Sequence, residues 1–359
     1  MEKYTKLQSK FIEDIKSNVT VYEHNKTGAR ICTIENDDNN KVFSIAFRTP
    51  PINNGGLTHI LEHSVLCGSK NYPVKDPFVE LIKGSLNTFL NAFTFPDKTM
   101  YPCASKNDKD FKNLMSVYMD AVFYPQIYNH EEIFMQEGWH YHILDENDPI
   151  TYNGVVYNEM KGAFSDPQQV LFRNVMHSLY PDTPYGLESG GDPKYIPDLT
   201  YEEFKEFHSK FYHPTNSYIF LYGDCDMDER LNWLDEAYLN NFDKIDFDTT
   251  IPYQKSFDKP VYLKEYYPLA LGVPKDGKTF DELYECSDKA LYRGKMQGRD
   301  CHIIYDPSLH ENGRSNNSVL TVIVFISCIN TTLDLFLDKP LTTISTTSNP
   351  APSKTLKTE

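Results

Sequence analysis

His59-Ile60-Leu61-Glu62-His63 is an H-x-x-E-H run. On a helix the two histidines stand four residues apart on one face, so both imidazoles can reach one metal ion while Glu62 stands beside its open coordination position. Two imidazoles are too few for a hydrolytic zinc site, which takes three protein ligands and a water, so a third ligand must come from another element. The competing reading is an amphipathic helix with two partly buried histidines.

The surroundings favour the metal. Pro50, Pro51 and Asn53-Asn54-Gly55-Gly56 punctuate the chain before the run, and Cys67-Gly68-Ser69-Lys70 with Pro73 stop it, which predicts a brief, exposed helix held between turns. Upstream, Val42 to Phe47 reads as a strand with Phe43, Ile45 and Phe47 on one face and Val42 and Ala46 on the other. For the third ligand Glu159 is the choice, in a segment where Val155, Val156, Met160 and Ala163 predict a buried helical stripe with Glu159 beside it. Spacing alone does not select Glu159, because the chain has many carboxylates and most carboxylates are solvated surface.

Several runs together carry a family resemblance: His59 to Ser69, Tyr72 to Phe78, Leu86 to Pro96, Gln136 to Trp139, Gly154 to Gly162, Ser189 to Pro193 and Tyr212 to Asn216. Over about residues 5–265, most strongly to Asp224, the chain resembles the presequence protease branch of the pitrilysin and insulin-degrading zinc metallopeptidases. The resemblance implies that His59, His63 and Glu159 hold Zn2+, that Glu62 is the general base, and that Asn91 and Ala92 lie on an edge strand that takes an extended peptide by main-chain hydrogen bonds. The implied reaction is peptide hydrolysis by zinc-activated water, with no cysteine or serine nucleophile. Cys67 and Cys103 accordingly read as small buried groups, and His213, beside Pro214, as structural or exposed.

The expected fold class is α+β: a pitrilysin-type N-terminal domain over residues 1–235, with a mixed or antiparallel sheet packed by helices, then the start of the next peptidase region or a linker over 236–266. Strands are predicted near 19–24, 29–35 and 42–48, a core helix along Phe111, Leu114, Met115, Tyr118, Met119 and Val122, a helix from Glu202 to Phe211 and a strand from Ser217 to Tyr222. A net charge of -16 over 359 residues argues against a nucleic-acid surface. Val319 to Ile326 is too short to span a membrane, so none is expected. Seven cysteines without C-x-x-C, and no apolar or Arg-rich leader after Met1, point to a reducing, cytoplasmic setting.

From residue 267 the pattern changes. Tyr267 to Tyr284, Ser287 to Lys295 and Gly298 to Asp300 look like the end of a diguanylate cyclase (GGDEF) domain, a truncated α/β fragment over 267–306 without the catalytic loop that should precede it. An apolar run and a Thr/Ser/Pro-rich tail, expected to be disordered, fill 307–359. The change reads as a junction of two unrelated coding fragments. The primary expectation is a zinc metalloendopeptidase acting on unstructured peptides, inactive alone until a complementary peptidase half or subunit closes the chamber. The alternative is a non-catalytic chimeric or truncated product with an interaction or remnant signalling role.

Overall fold

The computed structural model describes residues 3–257 apart from residue 76; the cyclase-like stretch 267–306 and the tail 307–359 lie outside the described residues. The elements in chain order are β1 (Tyr4–Ile12), β2 (Ser17–His24), β3 (Arg30–Glu35), β4 (Lys41–Arg48), α1 (Leu57–Ser64), α2 (Pro77–Gly84), β5 (Asn87–Leu90), β6 (Phe93–Thr94) and β7 (Lys98–Ser105). There follow α3 (Asp108–Phe123), α4 (Glu131–Glu137), β8 (His140–His142), β9 (Thr151–Asn153), α5 (Val155–Ala163), α6 (Pro167–Leu179), α7 (Tyr201–Phe211), β10 (Ser217–Gly223) and α8 (Met227–Ala237).

Eight strands form one sheet in the order β1-β2-β3-β10-β4-β7-β5, with β6 also on β7; β8 and β9 form a separate hairpin. Every pair is antiparallel except β3 with β10, so the sheet is mixed. The late strand β10 inserts between β3 and β4, pairing Phe220 with Cys32 on one side and with Ser44 on the other. The segment from α1 to α7 thus adds β5, β6 and β7 on the outer side of β4 before the chain returns to insert β10 at the sheet centre. β4 is buried along both faces except at Arg48, which is why it reads as a continuous apolar run rather than an alternating one.

The predicted core elements are present. Phe111, Leu114, Met115, Tyr118, Met119 and Val122 of α3 are fully buried and join Phe43, Ile45 and Phe47 in one core. Asn107 starts α3 by accepting from the Asp110 amide, and Thr200 with Glu203 forms a reciprocal capping box at α7. Two expectations need correction. α1 is not exposed: Leu57, His59, Ile60, Leu61 and Glu62 are all buried, because α4 and a turn at 188–192 cover the helix. The stripe of α5 is not buried either, since only Val156 is, and Val155 is 42% exposed. After α8 the chain runs back over the domain, with the Lys244 amide donating to the Lys26 carbonyl (3.0 Å) and Phe247 against Phe211.

His208 on α7 illustrates how polar groups are accommodated inside. Its Nε2 donates to the Val122 carbonyl (3.0 Å), so Nδ1 accepts from the Tyr128 hydroxyl (2.7 Å). Burial pushes the imidazole down to about 4. The unfolded chain takes up a proton below about pH 6.5 that the folded one refuses, so stability is complete above that pH and falls toward pH 4, by at most roughly 3 kcal/mol. Urea midpoints of zinc-free protein at pH 7 and pH 5 should differ less in His208→Gln than in wild type. An unchanged difference would remove His208 as the cause.

Candidate metal centre

The site is built from the N-terminus of α1. Gly56 has φ of +73°, and a Cβ on it would lie 2.5 Å from the Gly191 Cα. That approach sets the 189–191 turn over the first turn of the helix. Thr58 Oγ1 donates to the Ser189 carbonyl (2.7 Å) and His59 Nδ1 to the Gly190 carbonyl (2.9 Å). Asn54 clamps the turn from below, accepting from the Asp192 amide at its carbonyl (2.8 Å) and from the Glu188 amide at its side chain (2.9 Å). A carbonyl can only accept, so His59 carries its proton on Nδ1 and offers the lone pair of Nε2.

His63 is held the same way from the other side. Its Nδ1 lies 3.3 Å from Glu137 Oε2, and Glu137 in turn accepts from Gln136 Nε2 (2.8 Å) and the Cys67 thiol (3.6 Å). Burial opposes ionisation of Glu137, but the hydrogen bonds from His63 and Gln136 outweigh it and hold the carboxyl below its usual range. For His63, burial favours the neutral ring, yet Glu137, Glu62 and Glu159 together raise its affinity for a proton. A field that attracts a proton also suits a divalent cation.

Glu159 on α5 faces both free nitrogens, 3.8 Å from His59 Nε2 and 3.8 Å from His63 Nε2. The three ligand atoms all lie within 4.8 Å of one another. Zinc bonds near 2.1 Å bring tetrahedral ligand atoms to roughly 3.4 Å, so a modest contraction about an ion would close the set, and the residues fit the metal. Among the described residues this is the only group of three such side chains. Glu62 is buried and, among those residues, forms no hydrogen bond or ion pair; its charge is felt by His63 and by the buried phenols of Tyr101, Tyr118 and Tyr212. Its carboxylate is thus free to serve as a base.

Asn91 and Ala92 sit at the sheet edge but in the break between β5 and β6, not on a strand as expected. Asn91 already spends its main chain internally: its amide donates to the Pro102 carbonyl (3.2 Å) and its carbonyl accepts from Tyr118 (2.9 Å). The Ala92 amide is occupied by the Asn91 side chain at 3.0 Å. Thr94 Oγ1 reaches the Thr58 carbonyl at 3.4 Å, which places this edge against α1. Cys103 is buried and Cys67 only partly, so the cysteine expectation holds for the first and fails for the second. His213 is structural, accepting from the Thr215 amide.

Sequence reasoning missed Glu137 and the Gly190 carbonyl, both inside quoted runs whose role no local pattern revealed. A cleft of about 170 Å³ adjoins the centre, lined by Met160, Phe164, Phe172, Arg173, Met176 and Leu187 among others. Elsewhere Thr27, His24 and Asp235 are in hydrogen-bonded line (2.8 and 3.0 Å) like a hydrolytic triad, but Thr27 and His24 are sealed from solvent.

Residues 48–192 match the family profile for insulinase (peptidase family M16), and residues 198–278 that for the peptidase M16 inactive domain. The second match runs past residue 266, so the expected break in the peptidase pattern falls too early. Protein HypA of Clostridium perfringens is 62% identical over 237 residues, covering 66% of this chain and 24% of its own. Presequence protease 1, chloroplastic/mitochondrial, of Arabidopsis thaliana is 53% identical over 267 residues, covering 74% and 25%. The fold is similar to the crystal structure of pitrilysin, with a TM-score of 0.52 at 17% identity over 66% of this chain and 24% of that one. The chain spans about a quarter of the length of these relatives.

Substitutions at two positions probe the supports. Glu137→Ala should weaken zinc binding by about 10- to 100-fold, and Glu137→Gln by less, since an amide oxygen still accepts from His63. Chelator competition gives both values; equal, unchanged affinities would make Glu137 irrelevant to the centre. Gly56→Ala, in a left-handed position against backbone, should cost more than about 2 kcal/mol in urea unfolding and lower zinc affinity as well. Wild-type stability in that variant would show that the turn can retreat.

Proposed function

We propose that this chain, which belongs to the M16 peptidase family through residues 48–278, is the metal-bearing part of a zinc endopeptidase that hydrolyses extended, unstructured peptides. The observation that carries the reading is the convergence of His59 Nε2 and His63 Nε2 on Glu159 with an unpaired, buried Glu62 on the same helix. His59, His63 and Glu159 would hold the zinc, which when bound would supply a Lewis-acid charge able to acidify water and polarise a carbonyl. Glu62 takes the proton from that water on its carboxylate and passes it to the nitrogen of the departing amine. Gly190 and Glu137 keep the two imidazoles aimed through their far nitrogens.

The edge at Asn91 and Ala92 is the proposed track for the substrate backbone. Because Asn91 already holds the Ala92 amide with its own side chain, an incoming peptide carbonyl takes that amide by displacing the side chain, which then remains as a second polar contact. The cleft beside Met160 would receive an apolar substrate side chain. The presequence proteases it resembles are about three times as long, and the groups that close a chamber over the peptide would come from a complementary half or partner subunit. The proposed setting is reducing and cytoplasmic, as the seven cysteines without a C-x-x-C suggest.

Glu62 and Glu159 should fail differently. Glu62→Gln should retain about one zinc per chain but cut peptide cleavage by about 100-fold or more, because only proton transfer is lost. Glu159→Gln should lose zinc on dialysis, as should His59→Ala and His63→Ala. Elemental analysis and cleavage of an unstructured peptide, with the chain alone and with a complementary half added, separate the cases. Full zinc in Glu159→Gln would reject the third ligand, and undiminished cleavage in Glu62→Gln the mechanism. Zinc binding with no cleavage under any addition would favour the non-catalytic alternative.

A further inference from the structure

The hairpin of β8 and β9 has two unlike faces. Trp139, Tyr141 and Tyr152 pack edge to face and tilted on one side, with ring centroids 5.5, 5.6 and 5.7 Å apart. Residues two apart on a strand share a face, so His140 and His142 both project from the opposite one. Their ring centroids are 6.2 Å apart, against 4.9 Å for His59 and His63. A rotation of the His142 side chain alone, with the His140 ring left in place, would narrow that gap.

The ring of His140 is oriented by the device seen at His59. Its Nδ1 donates to the Met135 carbonyl at 2.8 Å, which leaves the lone pair on Nε2. Neither ring nitrogen of His142 has a partner among the described residues, and both rings are partly exposed. The strand backbone between them is fixed by the pairing of Tyr141 with Tyr152 and of His142 with Thr151. Thus one lone pair is pre-aimed, a second is unengaged, and the spacing is set by a rigid ladder.

We propose that His140 and His142 form a second metal site, independent of the centre on α1, which takes a late first-row divalent cation. Two imidazoles and water complete it, because no carboxylate or thiol joins them in a cluster of three among the described residues. Imidazole donors follow the Irving–Williams order, so copper(II) binds more tightly than nickel(II) or zinc(II). With two protein ligands, against three at the α1 centre, the site binds zinc more weakly than that centre and fills second.

The test adds one equivalent of copper(II) chloride to the zinc-loaded full chain and reads the paramagnetic resonance signal alongside retained zinc. The expected result is a nitrogen-coordinated copper signal with zinc still at about one per chain, reduced by about fivefold or more in His140→Gln/His142→Gln. Each single variant should also lose it, and unchanged urea midpoints would show that the hairpin is intact. A copper signal of full strength in the double variant overturns the proposal. So does copper uptake at the expense of zinc, which would place the ion among His59, His63 and Glu159.

Discussion

The reactive end of the molecule depends on two stretches of backbone touching where no side chain can stand. Gly56 meets Gly191, and the neighbouring Gly55 has the Leu199 side chain where its own Cβ would be. These contacts set the direction in which α1 leaves its turn. The carbonyls of Ser189 and Gly190 then meet Thr58 and His59, and the imidazole has one orientation in which its proton is satisfied. The aim of the His59 imidazole is therefore fixed by main-chain distance more than by packing of the helix itself.

What could be read from the residues follows the range of the interactions that decide each feature. The strands 19–24, 29–35 and 42–48 and the α3 stripe were legible because periodic burial is written locally, in Phe43, Ile45 and Phe47 or in Leu114, Tyr118 and Val122. The buried state of α1 was not, since it comes from α4 and a turn more than a hundred residues away. β1 was missed because a nearly fully exposed edge strand carries little apolar pattern. Glu159 was picked out as a candidate ligand through a resemblance, not through spacing, and Glu137 had no signal of its own: its contact exists only where α4 passes His63. The break between β5 and β6 at Asn91 was also invisible: the register on β7 is the same at Leu90–Cys103 and at Phe93–Met100, but Pro102, opposite Asn91, has no amide hydrogen to donate to the ladder.

Two clusters in this domain contain a histidine between oxygen groups, and their contrast explains why only one can be reactive. His24 is sealed between Thr27 and Asp235, and Lys3 balances Asp235 from outside at 2.9 Å. Every polar atom there has a partner, so the arrangement ties β2 to α8. Around His63 three carboxylates, Glu62, Glu137 and Glu159, act with no lysine or arginine among the charges that shift it. That imbalance is costly without a cation and is resolved by one.

Glu159 is the proposed ligand on the most lightly seated element of the three that support the centre. α5 buries only Val156, and the Glu159 side chain is 54% exposed. An ion held by α1 and α5 together is then a tether as well as a cofactor, since binding free energy at Glu159 is also docking free energy for α5. Occupancy becomes a matter of local order: amide exchange along Val155–Ala163 should report metal loading directly, while the sheet, closed by β10, stays silent.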